Sequence, residues 1–461
     1  MISMADYKVT NPATGEVEAE FATLTDDQLR EALDRASETF TSWSKSELDE
    51  RARLLRRAAE LYGERKDELA EIITREMGKP IKQARAELDI VISIFNYYAD
   101  HGAEFLADEE IPDAPDGRAF MQSEPFGVLL GIMPWNFPYY QVARFAAPNL
   151  MIGNTVLLKH ASQCPESAAA IEQIFRDAGF PENAYTNVYV SSGQIAEIVI
   201  PDPRVKGVSL TGSERAGTKV AATAGENLKK VVLELGGNDP LLVLDRESLP
   251  QAVKGAVSGR MANAGQACNA AKRVIVLDEF YDEFLEQFRE SLGKIELRDP
   301  LSEDAFIGPM SSASAAEDLH EQVQDSVKQG ATLHMGGDFD ERGGAWYQPT
   351  LLTDLTPEMR AYGEELFGPV AMVYRAADEA EAVRLANDTQ YGLSASVYAT
   401  DEARAQRVGE QIETGMVFVN QPPGSAAELP FGGVKRSGVG RELGPYGMTE
   451  FVNKRLIKIA G

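Results

Sequence analysis

Two side chains stand out for what they would do together. Cys268 lies in Gly265-Gln266-Ala267-Cys268-Asn269, and Glu234 lies in Leu233-Glu234-Leu235-Gly236-Gly237. A thiolate is a strong nucleophile, and a carboxylate at an apolar strand end serves as a general base. Covalent catalysis through sulfur, followed by attack of activated water, is the chemistry such a pair performs. The chain has only two cysteines, so Cys164 is the sole competitor for the nucleophile's place. Taken alone, each residue has a plainer reading. A lone Cys packs as a small buried hydrophobe, and a Glu beside two glycines merely accepts from backbone donors. Other chemistries find less support. There is no Gly-x-Ser-x-Gly elbow for a serine hydrolase, and His101, His160, His320 and His334 show no metal-ligand spacing.

The elements that must position the pair fall into two alternating blocks. Short apolar runs at 128–133, 155–159, 187–190, 205–210 and 231–235 alternate with helical stretches at 138–152 and 167–178. A second block runs through strand 239–244, helix 249–263, strand 273–276, helix 279–292, strand 372–375, helix 379–386 and strand 416–420. Alternation of this kind predicts parallel sheets with helices on their faces, an α/β fold. Glu234 ends the first block and Cys268 belongs to the second, so the pair falls near a junction, where clefts form. Before both blocks, Thr25-Asp26-Asp27-Gln28 reads as a capping box opening a helix with Leu29, Leu33, Ala36 and Phe40 on one face. Helices follow at 51–62 and 66–77, and Pro80 stands near the start of another reaching about residue 105. The acidic, Pro-containing stretch 107–117 reads as a loop or hairpin edge.

At 461 residues the chain exceeds what one core supports, so at least two domains are expected. Its net charge of −27 repels nucleic acid and anionic membranes, and neither is expected as a partner. No run is long and apolar enough to span a membrane. Residues 1–10 lack the pattern of a secretory leader, and two cysteines in so long a chain suit a reducing compartment; a cytoplasmic location is expected. Acids recur throughout, and the 45 basic residues are mostly Arg. An acidic, lysine-poor surface is what a halophilic protein carries, although an ordinary acidic enzyme has the same composition.

Two further segments complete a pattern: Met133-Pro134-Trp135-Asn136-Phe137-Pro138, and Glu364-Glu365-Leu366-Phe367-Gly368-Pro369-Val370. With the Cys268 and Glu234 motifs, their order and spacing resemble the aldehyde dehydrogenase superfamily from about Asn11 to Phe451, most closely its short succinate-semialdehyde dehydrogenase branch. The resemblance implies a Rossmann-type cofactor domain (1–108 and 126–235), an α/β catalytic domain (236–444) and a β oligomerisation arm (109–125 and 445–461), giving a homodimer or homotetramer. It implies Cys268 as nucleophile, Glu234 as base, and the Asn136 amide with the Cys268 N–H as oxyanion donors. By itself Asn136 also reads as a loop residue capping the next helix.

The same resemblance assigns a cofactor, NAD or NADP, although no Gly-x-Gly-x-x-Gly opens a helix after a strand. Gly212 and Ser213 would meet the pyrophosphate at a helix N-terminus. Lys159 would reach the adenine ribose, and Glu365 would grip the nicotinamide ribose beside Phe367. Met133, Trp135 and Leu235 would line the same cleft. Many NAD-specific relatives carry Glu three positions after the Lys159 equivalent; Ser162 stands there in this chain and removes a charge that repels a 2′-phosphate. Arg144, six residues after Pro138, would pair with the distal carboxylate of a semialdehyde substrate. A second Arg that some such enzymes place six residues before the cysteine is Ala262 in this sequence.

Overall fold

The computed structural model describes residues 7–461, so the reading of a missing leader falls partly outside the described residues. The first helix, Asp26–Trp43, begins where the capping box places it: the Thr25 side chain accepts from the Gln28 N–H, and Gln28 returns a bond to the Thr25 backbone. Helices Leu48–Glu64, Lys66–Met77 and Ile81–Phe105 follow, the last with Pro80 at its N-cap. Their apolar faces join the helix Tyr140–Ile152 in one large core that includes Leu55, Leu88, Phe95 and Phe145.

A six-stranded sheet has the order Gly438–Val439, Lys230–Glu234, Val205–Thr211, Val128–Met133, Thr155–His160, Tyr185–Asn187. All neighbours are parallel except Gly438–Val439, which runs antiparallel to Lys230–Glu234. The strand expected at 187–190 lies earlier, at Tyr185–Asn187; Val188 keeps one backbone bond to the Leu158 carbonyl, and Val188 and Val190 pack with Leu29 and Leu33 of the first helix. Glu234 is the last residue of its strand, and the Gly212 N–H donates to its carbonyl at 2.9 Å.

The second sheet has seven strands in the order Thr332–Met335, Thr350–Thr353, Val370–Ala376, Ala271–Leu277, Asp239–Val243, Ser394–Tyr398, Met416–Val419. Only the first pairs antiparallel. Three strands and the helix Ala313–Lys328 add to the sequence-based expectation. A third sheet pairs Val452–Ile459 antiparallel with Arg118–Pro125, and the short strand Glu109–Glu110 flanks the latter. The outer strand exposes Leu456 and Ile459. No helix of the described residues is long and apolar enough to cross a membrane.

Candidate active site

Cys268 follows a tight turn at Ala262–Gly265 and precedes the strand Ala271–Leu277. Asn263 and Ala264 both take left-handed backbone angles, with φ near 52°. Such angles cost a non-glycine residue roughly 1–2 kcal/mol each, so surrounding contacts must hold the turn. Asn263 donates through Nδ2 to the Asn136 and Gln266 carbonyls, and its N–H reaches Gln83 Oε1 at 2.8 Å. The buried Arg260 guanidinium donates to the Gly265, Leu366 and Val370 carbonyls. The nucleophile turn and the 365–370 loop are thereby tied together.

Three cavities meet along one line. A cleft of about 480 Å³ is bordered by Met133, Lys159, Gly212, Ser213 and Lys219. It adjoins a central cavity of about 290 Å³ bordered by Trp135, Asn136, Glu234, Leu235, Cys268, Glu365 and Phe367; Thr211, Gly212 and Ser213 wall both. An outer cavity of about 740 Å³ is bordered by Phe137, Tyr140, Arg144, Ser425, Phe431 and again Cys268. Among the described residues, Cys268 and Gln141 alone border both the central and the outer cavity.

Electrostatics separate the roles. Glu234 is buried, neither carboxylate oxygen has a hydrogen-bond partner, and burial holds its pKa well above the usual range despite the opposing charge of Arg144. An orphan carboxylate at such a depth is expensive and marks function. Cys268 meets solvent only through the cavities, and desolvation pushes its thiol up to about 12, with Arg144 and Lys272 pulling the other way. Cys164 is fully buried, near the Trp135 carbonyl, and desolvation holds its thiol well above the ordinary range. Asn136 donates through Nδ2 to the Gln266 carbonyl at 3.2 Å and accepts from Gln141 at 2.9 Å; its second N–H remains for an oxyanion.

The donor set suits a dinucleotide. Ser213 caps the helix Glu214–Glu226, whose N-terminus opens on the inner cleft. Lys159 is almost enclosed, its ammonium bonded to the His160 carbonyl at 3.0 Å and its pKa lowered to about 8 by burial. His160 is neutral, since burial lowers its pKa to about 4. A Cβ at Gly236 would collide with Glu365 Oε2, so glycine clears the floor beneath that carboxylate. Trp135 and Phe367 meet edge to face at 5.7 Å.

Two expected residues sit differently from the simple picture. Ser162 is exposed and borders a neighbouring cleft with Lys8, Thr10 and Arg342, rather than the cavity that Lys159 lines. Arg144 reaches the outer cavity, but its guanidinium already forms a buried ion pair with Glu442 and donates to Thr211 Oγ1 at 3.1 Å. Arg144 thus enters the outer cavity already paired, a partnership that the sequence did not show. Glu442, Glu87 and Lys272 went unread in the sequence. Lys272 alone left a signal: with Arg273 it places two cations near the start of a strand whose other residues are apolar.

The two α/β units and the cleft they present are those of an aldehyde dehydrogenase. The chain belongs to the aldehyde dehydrogenase family, whose model matches residues 2–457, and it is thus an NAD(P)-dependent oxidoreductase. It is 53% identical over 452 residues to a Deinococcus radiodurans protein named succinate-semialdehyde dehydrogenase (NADP+), covering 98% of this chain and 94% of that one. A Mycobacterium tuberculosis protein of like name is 42% identical over 452 residues, covering 98% and 99%. Among solved structures, succinic semialdehyde dehydrogenase from Streptococcus pyogenes in complex with NADP+ superposes with a TM-score of 0.97 at 41% identity, covering 99% and 100%. Betaine aldehyde dehydrogenase from Staphylococcus aureus with NAD+ gives 0.94 at 30%, covering 98% and 91%.

Proposed function

We propose that the protein oxidises succinate semialdehyde to succinate with NADP+, NAD+ being admitted as well. The observation that carries this reading is a run of three adjoining cavities, the central and outer of which share Cys268, beside a carboxylate with no partner. In this reading the residues around the six-stranded sheet hold the cofactor, those around the seven-stranded sheet supply the nucleophile, and the exposed strand Val452–Ile459 joins subunits into a dimer or tetramer.

Cys268 forms a C–S bond to the aldehyde carbon while its proton passes to base, and the carbonyl oxygen becomes an alkoxide. Asn136 Nδ2 and the Cys268 N–H donate to that oxygen; one such donor supplies roughly 3–4 kcal/mol in a dry site. The bound NADP+ supplies the hydride acceptor. Cys268 is then left as a thioester. Glu234, a carboxylate without a hydrogen-bond partner whose pKa burial raises, removes a proton from water as the general base, the new C–O bond forms, and C–S cleavage returns the thiol. Beyond the sulfur, Arg144, Tyr140 and Ser425 wall the outer cavity; Tyr140 Oη donates to Ser425 Oγ at 2.9 Å. Together they provide a polar seat for the distal carboxylate, with the Arg144 charge shared between substrate and Glu442.

The test is a panel of aldehydes, with and without a distal carboxylate, run against both cofactors for wild type and Cys268→Ala. Succinate semialdehyde with NADP+ should give the highest kcat/KM, and the variant should lose all aldehyde-dependent NADPH formation while still binding NADP+. Turnover by Cys268→Ala, or preference for a neutral aldehyde, would overturn the reading.

A further inference from the structure

Lys272 is fully buried. Its ammonium donates to the Cys268 carbonyl at 2.5 Å and the Ala267 carbonyl at 3.0 Å, and it forms an ion pair with Glu365 Oε1 at 2.8 Å. Glu365 Oε1 also accepts from the Gly237 N–H at 3.1 Å, which leaves Oε2 beside Gly236 on the central cavity. A single side chain thus bridges the backbone of the nucleophile and the carboxylate assigned to the cofactor's ribose.

We infer that Lys272 is a positioning residue that couples cofactor binding to the reactivity of Cys268. The inference rests on the proposed role of Glu365 toward the nicotinamide ribose. The alternative, a lysine that only fills the core, is disfavoured by cost: a buried ammonium is tolerated only when paired and fully hydrogen-bonded, and an apolar residue would serve the strand Ala271–Leu277 without that demand. The three acceptors, moreover, belong to the two loops whose relative placement sets the distance between sulfur and hydride acceptor.

The direction of coupling follows from charge. Glu365, accepting a ribose hydroxyl through Oε2, spreads less negative charge onto Oε1 and holds Lys272 less strongly. The ammonium's positive charge then acts more fully on the Cys268 segment, favouring thiolate over thiol. Because Cys164 is sealed in the core, alkylation by a small reagent reports on Cys268 alone.

The experiment measures the second-order rate of iodoacetamide alkylation with and without saturating NADP+, alongside NADP+ affinity by calorimetry. For wild type, NADP+ should speed alkylation on the order of fivefold or more, the lower end of site-to-site coupling. Lys272→Met should still bind NADP+ but alkylate at one rate in both conditions. Lys272→Arg, which keeps the charge, should recover part of the response, a rescue that a packing role does not predict. Should Lys272→Met fold poorly, Glu365→Gln tests the same bridge and should likewise lose the response. A full response in Lys272→Met, or none in wild type that binds NADP+, overturns the inference. Undiminished NADP+ affinity in Glu365→Gln would instead overturn the ribose assignment.

Discussion

Glu234 and Glu87 are both buried carboxylates, one bordering the central cavity and the other the outer one, yet they are treated oppositely. Glu87 accepts from the Tyr139 and Tyr140 N–H groups at 2.9 and 3.0 Å and forms a buried ion pair with Lys79. It fixes the start of the helix that follows Asn136, while Lys79 also lies 3.7 Å over the Phe137 ring. Glu234 has no such support. One carboxylate is consumed by structure; the other is kept unsatisfied so that a substrate water or a proton can satisfy it. The contrast shows how function is read in a low-dielectric interior, by asking which expensive group has been left without compensation.

The sharpest test of that contrast is Glu234→Gln. Steady-state turnover should fall on the order of 10²- to 10³-fold, within the range for loss of a general base. A burst of NADPH in the first turnover should survive, since thioester hydrolysis rather than hydride transfer is impaired. Stability should move the other way. Burial raises this pKa, so above the unfolded carboxyl range, near ~4.3, the folded chain holds a proton that the unfolded chain has released. Glu234 therefore lowers stability as pH rises toward neutrality, and Glu234→Gln should melt higher than wild type at pH 7. A variant that is both slower and less stable would place Glu234 with Glu87.

Glu87→Ala should show the opposite balance. Removing one partner of a buried pair leaves Lys79 charged and alone, at a cost of about 3–5 kcal/mol, visible as a lower denaturation midpoint. If the variant instead kept its stability and lost only turnover, Glu87 would belong to the chemistry and the comparison would fail.

Arg144→Leu probes the field around Glu234. The loss of kcat/KM for succinate semialdehyde should exceed that for a neutral aldehyde of similar length by roughly tenfold, or ~1.4 kcal/mol, less than a free guanidinium would give because Glu442 shares the charge. Equal losses would confine Arg144 to supporting Glu442. The smallest effect concerns carboxylates that are neither satisfied nor buried, those of the acidic surface. At about 1 M KCl the Debye length is ~3 Å and their mutual repulsion is screened. A thermal midpoint a few degrees higher in that salt is expected if the charge of −27 is a high-salt adaptation; no shift would mark an ordinary acidic enzyme.

Much of the frame was legible because it depends on short-range pattern. The run Val128–Met133 is apolar on both faces, as a central parallel strand must be, and the Thr25 box announces its helix. The strand Ser394–Tyr398 was not legible: two of its five residues are serines, and their burial makes sense only once Ser394 is seen donating its N–H to Asp239 at 3.0 Å. The helix Ala313–Lys328 turns only Ala316, Leu319, Val323 and Ser326 inward, too narrow a stripe to announce itself. In the site, the motif residues were legible from their neighbours in sequence. Glu442 was not, because its meaning lies in Arg144, almost three hundred positions away. A charge pair of that separation leaves no local trace, and the same holds for Lys272 and Glu365.

The sealing of Cys164 bears on how the protein meets oxidants. Peroxide entering by the outer cavity finds a sulfur with no resolving thiol available in the chain. A sulfenic acid on Cys268 has no internal disulfide to fall into while Cys164 stays in the core, so nothing in the fold shields it from further oxidation. Its recovery depends on small thiols that enter by the substrate's own mouth, and the occupant of that mouth becomes its protector.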